Sequence, residues 1–68
     1  MDLKGKNDIV NKVRDFLMNE GLSRDEAIDA ILDAEVIHLI GWDDGHDGIR
    51  PVEEYVAEAY EFWKAKQN

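Results

Sequence analysis

The sequence predicts a small all-α protein of three helices, with an Asp/Gly-rich loop between the second and third. Three observations support this fold class. Apolar residues recur every three or four positions over three stretches, which is the spacing of one helix face. Ser23 to Glu26 forms a capping box, a typical helix start. The only proline, Pro51, stands where another helix can begin. We expect the 68 residues to form one domain.

The first helix is expected from about Asp8 to Asn19, after a flexible N-terminus at 1–6. Asn7 or Asp8 suits the N-cap, because its side-chain oxygen can accept a free backbone N–H. Gly21 suits the left-handed position that follows a last helical turn. The apolar stripe of this helix consists of Ile9, Val10, Val13, Phe16 and Leu17.

The second helix is expected to begin at the capping box, where Ser23 and Glu26 satisfy each other's backbone N–H groups. Its apolar face consists of Ala27, Ile28, Ile31 and Leu32. Around Asp33 the phase of the apolar pattern shifts. The apolar residues that follow point to the side of the helix on which Asp25, Asp29 and Asp33 lie.

The segment 36–40 is apolar on nearly every side, so a helix there must be covered on both sides. We expect the second helix to continue to about Ile40. A short strand, paired with a second subunit, is the alternative, because Val and Ile favour strands. Val36, Ile37 and Ile40 are therefore predicted to form the interface of a two-fold homodimer.

The third helix is expected to begin at Pro51. Glu53 and Glu54 lie in its first turn and Lys64 and Lys66 in its last, as the helix dipole favours. Its apolar face consists of Val52, Tyr55, Val56, Ala59, Phe62 and Trp63.

The composition restricts the function classes. Eight Lys and Arg against sixteen Asp and Glu give a net charge of −8, which disfavours direct binding to nucleic acid or to an anionic membrane. It favours a basic protein partner. There is no cysteine, no membrane-spanning apolar run and no signal-peptide pattern, so we expect a soluble, cytoplasmic protein.

Catalysis and metal binding find little support. The one serine, Ser23, has a capping role, there is no threonine, and no phosphate-binding loop is present. Read from Asp43, the loop resembles an EF-hand calcium loop at Asp47, Gly48 and Glu54. Gly45 supplies no ligand where that pattern requires one. We therefore predict a protein that is not an enzyme and that holds no metal or cofactor.

Two acidic rows, one on the second helix and one on the third, suggest a binding function. Their position opposite the apolar faces equally fits a surface that is only solvated. Like charges spaced by about one turn are mildly destabilising, so their repetition calls for a further reason. The leading hypothesis is an acidic protein that docks on a basic partner. Its sharpest form is an inhibitor or DNA mimic, of the phage or mobile-element type, that acts on a nucleic-acid-binding protein. The alternative is a helical adaptor or dimerisation module with an apolar patch. The predicted contact residues are Asp25, Asp29, Asp33, Trp42, Glu54, Glu58 and Glu61.

The segment Met18-Asn19-Glu20-Gly21-Leu22-Ser23-Arg24-Asp25-Glu26-Ala27-Ile28 is similar to the turn between the first two helices of ubiquitin-associated domains. These domains are small three-helix binding modules, so the resemblance implies a binding role. The predicted second helix is longer, and the predicted second loop is wider, than in that family.

Overall fold

Residues 3–67 fold into four α-helices rather than three. The computed structural model describes the backbone of residues 3–67 and the side chains of residues 7–67. The helices are α1 (Leu3–Asn19), α2 (Arg24–Asp33), α3 (Val36–Gly45) and α4 (Val52–Gln67). Residues 3–67 include no strand, so the all-α class is confirmed and the strand alternative for 36–40 is wrong. No helix in this range is long and apolar enough to cross a membrane.

The first helix begins earlier than the sequence indicates. Leu3, not Asp8, is its first residue, so most of the segment expected to be flexible is helical, while Met1 and Asp2 lie outside the described residues. Gly21 adopts the predicted left-handed conformation, with a φ of 108°. The side-chain capping site predicted at Asn7 or Asp8 therefore falls inside a helix.

The capping box at the start of α2 is confirmed. The Glu26 backbone N–H donates to Ser23 Oγ over 3.1 Å, and the Ser23 N–H donates to Glu26 Oε1 over 2.8 Å. Both bonds satisfy donors that a helix start leaves without partners.

The expected long second helix is broken at Ala34 and Glu35. Ala34 caps α2, and Glu35 takes the left-handed values φ 52° and ψ 42°. The Leu39 N–H then donates to the Glu35 carbonyl over 2.9 Å, which starts a new helix with a new direction. This turn is the physical reason for the phase shift in the apolar pattern. It brings Val36 and Ile40 to the same core that α2 covers.

The predicted Asp/Gly loop is mostly helix. α3 continues to Gly45, and the connection to α4 is only the segment 46–51. Two backbone bonds close the end of α3, with the N–H groups of His46 and Gly48 donating to the Asp43 carbonyl over 3.2 and 2.6 Å. Gly48 has a φ of 101°, a conformation in which a side chain would be strained.

The core lies where α1, α2 and α4 meet, and α3 closes it. α4 begins directly after Pro51 and has the predicted acidic first turn and basic last turn. Phe16 and Phe62, both placed on apolar stripes by the sequence, are 44% and 47% exposed. The buried apolar residues are Val13, Leu17, Leu22, Ala27, Ala30, Ile31, Ala34, Val36, Ile40, Tyr55 and Ala59.

Candidate functional site

The three glutamates predicted on the last helix share one exposed side of α4. We call Glu54, Glu58 and Glu61 the α4 acidic row. Together with Ala57 and the side chain of Arg50 they line a shallow concave surface. Intervals of four and three residues place these positions about 6 and 4.5 Å apart along the helix axis. Among the side chains described, none of the three forms an ion pair, so the row presents its charge to solvent.

The aspartates of the second helix are exposed too, but their charge is partly compensated. We call Asp25, Asp29 and Asp33 the α2 acidic row. The Lys66 ammonium, at the end of α4, donates to Asp33 Oδ2 over 2.5 Å. This hydrogen bond raises the pKa of Lys66, and the charges of Asp33 and then Asp29 raise the pKa further. One end of the α2 row is therefore neutralised from within the chain, whereas no residue of the α4 row has such a pairing among the described side chains.

Trp42, one of the predicted contact residues, stands on the surface. Its side chain is 57% exposed. Its ring stacks on that of His46, with centroids 3.9 Å apart and planes inclined by 12°. The Nδ1 atom of His46 lies 2.8 Å from the Trp42 carbonyl oxygen, so the tautomer protonated at Nδ1 can donate to it. The two rings form a preorganised flat surface on the last turn of α3.

A buried polar cluster fixes the connection between α3 and α4, and the sequence did not predict it. The Asp43 side chain is nearly inaccessible. It accepts a hydrogen bond from the Tyr55 hydroxyl over 2.8 Å and pairs with Arg50 Nε over 2.9 Å. The Tyr55 hydroxyl also accepts from the Arg50 backbone N–H over 3.1 Å. Burial of the Tyr55 phenol, with the neighbouring Asp43 carboxylate, raises its pKa.

This cluster borders the α4 acidic row. Arg50 belongs both to the cluster and to the concave surface of the row, so Asp43 holds a guanidinium at the edge of that surface. No local sequence signal marks the cluster, because Arg50 and Tyr55 lie seven and twelve residues after Asp43. Tyr55 was predicted correctly as a core residue, and Asp43 wrongly as a loop residue.

The predicted dimer interface is corrected by the burial of two of its three residues. Val36 and Ile40 have no exposed surface within a single chain. They are core residues because the turn at Glu35 redirects α3 inward. Ile37 is 53% exposed and remains available for a contact.

The segment that resembles a calcium loop has a different role. Asp43, which would be its first ligand, is committed to Arg50 and Tyr55, and the residues as far as Gly45 are helical. Within the described residues, no group of three or more His, Asp or Glu side chains is arranged to hold a metal ion.

In comparisons with known proteins, no protein-family model, curated protein or solved structure gives a significant match to the chain.

Proposed function

We propose that the protein is a non-enzymatic binding protein that docks on a basic surface of a partner protein. The observation that carries the proposal is the α4 acidic row, with its three exposed carboxylates and no ion pair among the described side chains. Charges of one sign on one face accelerate encounter with a partner of opposite sign. We propose a cytoplasmic location, because the chain has no cysteine from which an oxidising compartment could form a stabilising disulfide.

The sharper form of the proposal is an inhibitor that imitates nucleic acid, of the kind that phages and mobile elements use. Carboxylates four residues apart on a helix are about 6 Å apart along its axis. Phosphates on one DNA strand rise by about 3.4 Å each, so the Glu54–Glu58 interval is close to the rise over two phosphates, and the Glu58–Glu61 interval of about 4.5 Å is shorter than that rise. A groove with lysines and arginines for a phosphate backbone can therefore accept the row. The protein would act by occupying that groove.

Two further exposed features can contribute to the same contact. The α2 acidic row keeps Asp25 and Asp29 outside any ion pair of the described side chains, and these supply additional negative charge. The Trp42 ring offers a large flat apolar surface, of the kind that is enriched among the residues dominating binding energy.

The second candidate function is an adaptor that binds a peptide or helix through an apolar patch. Leu32 and Ile37, which are 59% and 53% exposed near the turn between α2 and α3, favour it. The two candidates differ in their response to salt, because screening weakens attraction between exposed charges and leaves apolar contacts intact.

The experiment is capture of partners from a lysate at low and at high salt, with the tagged protein and two matched variants. The first variant reverses the α4 row with Glu54→Lys, Glu58→Lys and Glu61→Lys. The control reverses three exposed acids elsewhere, with Asp8→Lys, Asp44→Lys and Asp47→Lys. Each variant changes the net charge by +6, from −8 to −2. Only the first should lose a partner that the parent holds at low salt and releases at high salt. Equal retention by all three proteins would contradict the proposal and favour the adaptor.

A further inference from the structure

An apolar groove runs between α1 and α4, on the side of α4 next to the acidic row. Its floor consists of Phe16, which is 44% exposed, with the half-buried Val52, Val56 and Tyr60. Two concavities make up the groove, and Phe16 lines both of them. From Val52 to Tyr60 the groove extends for about 12 Å, or two helical turns. It is therefore long enough for two or three consecutive apolar side chains of one partner helix.

The groove and the α4 acidic row form one continuous surface. Ala57 lies at the boundary, since it lines both the groove and the concave surface of the row. Acidic residues also stand at the rim of the groove. Glu53 lines both concavities, Glu20 lines one, and Asp15, which pairs with Arg14 over 3.2 Å, lines the other. Lys12 is the one basic residue among those lining the groove. The apolar strip thus has Glu53 and the α4 acidic row on its α4 side. On its α1 side, Glu20 is the acidic side chain that forms no ion pair among the described residues.

We propose that this surface binds a basic amphipathic helix of the partner protein, with the apolar side chains of that helix in the groove at Phe16. The proposal rests on the proposed function and defines the part of the partner that is bound. The lysines or arginines flanking the apolar stripe of such a helix face Glu53 on the rim and the α4 acidic row beyond Ala57. In this arrangement the basic side chains of the partner helix lie opposite the acidic residues while its apolar side chains cover the floor of the groove.

A helix fits better than the other occupants. An extended peptide needs backbone partners, and the backbone groups of α1 and α4 are already used within those helices. A helix satisfies its own backbone and presents only side chains. A second copy of this chain would bring another net charge of −8 against acidic rims, which is repulsive.

The test uses two synthetic 18-residue peptides made only of leucine and lysine in equal composition. In one the leucines lie on a single helix face, and in the other they are scattered. Affinities are measured by fluorescence anisotropy of labelled peptide, and the contact is mapped by amide chemical shifts at Phe16 and Ala57. The amphipathic peptide should bind about tenfold or more tightly than its scattered isomer, and it should shift both amides.

Variants separate this inference from the proposed function. Phe16→Ala should weaken the amphipathic peptide about tenfold, as loss of an interface anchor does, and Ala57→Gln should weaken it by filling the boundary without removing core contacts. Leu32→Ala, an apolar truncation on α2 at a residue that is 59% exposed and outside the groove, is the control and should leave the affinity unchanged. If the amphipathic peptide binds both groove variants as tightly as the parent, the inference is overturned. In that case, a loss of peptide affinity when the α4 acidic row is reversed would still uphold the proposed function. If row reversal changes neither peptide's affinity, the proposed function fails. A homodimer, seen by sedimentation, that Phe16→Ala dissociates would show that a second copy occupies the groove and would overturn the inference.

Discussion

Replacing Asp43 by alanine tests whether the buried polar cluster holds α3 and α4 together. The substitution removes the acceptor of the Tyr55 hydroxyl, 2.8 Å away, and the partner of Arg50, 2.9 Å away. It leaves the hydroxyl and the guanidinium in place without that carboxylate. A buried group that loses its partner bears the full free energy of desolvation, so the effect exceeds the net value of the bonds themselves.

The magnitude follows from the burial of each partner. Removal of one member of a fully buried ion pair costs about 3–5 kcal/mol. The Arg50 side chain is 38% exposed and can rehydrate, so its share is smaller. The Tyr55 hydroxyl is buried, and the loss of a hydrogen bond to a charged group costs about 1.5–3 kcal/mol. We expect Asp43→Ala to lower the free energy of unfolding by about 2–3 kcal/mol, out of about 3–10 kcal/mol for a domain of this size.

The assay is thermal unfolding followed by circular dichroism, with Asp44→Ala as the control. Asp44 is the next residue on α3, and it is exposed. A loss of 2–3 kcal/mol should lower Tm by about 10–20 °C. The control should remain within about 0.5 kcal/mol of the parent protein. If the two variants melt together, the cluster contributes no stability and the reasoning is refuted.

Three further predictions concern the other local features of the fold. Ser23→Ala should lower the free energy of unfolding by about 1 kcal/mol in urea titrations, and Ser23→Gly should lower it by only a few tenths of a kcal/mol. Equal urea midpoints for Ser23→Ala and the parent would mean that the capping box does not stabilise α2. Glu35 has a φ of 52°, a conformation that glycine adopts without strain and a β-branched residue does not. Glu35→Gly should therefore leave the free energy of unfolding unchanged or raise it by up to about 1 kcal/mol, and Glu35→Val should lower it by about 1–2 kcal/mol. Equal losses in the two variants would contradict the left-handed turn. Burial raises the pKa of Tyr55 above its ordinary 10.0, so the folded state favours the protonated phenol. The stability that this preference contributes is present below pH 10 and is lost as the pH rises through the raised pKa. Urea unfolding at about pH 8 and about pH 11 should therefore show a larger loss for the parent than for Tyr55→Phe, and equal losses would refute this assignment.

The parts of the fold with local causes were predictable from the sequence. The capping box at Ser23 and the charged ends of α4 involve residues within a turn of each other, so their patterns survive any arrangement of the helices. The break at Glu35 was visible only as a shift in apolar phase. No glycine or proline marks it, and a non-glycine residue in the left-handed region is uncommon enough that a continuous helix was the better expectation.

The surface was predictable in part, for a related reason. The exposure of the α4 acidic row follows from its position opposite the apolar stripe. The pairing of Asp33 with Lys66 joins residues 33 positions apart, and only the packing of α2 on α4 brings them together. The same holds for Val36 and Ile40, whose burial depends on the direction that α3 takes after Glu35.

The most direct test of the account measures the association rate with the captured partner as a function of ionic strength. The parent protein and the control with reversed Asp8, Asp44 and Asp47 should associate quickly at low salt and several-fold more slowly as the screening length shortens to about 8 Å at physiological ionic strength. The variant with a reversed α4 acidic row should associate slowly at low salt, with little further dependence on salt. Identical salt dependence in all three proteins would contradict the claim that this row guides docking.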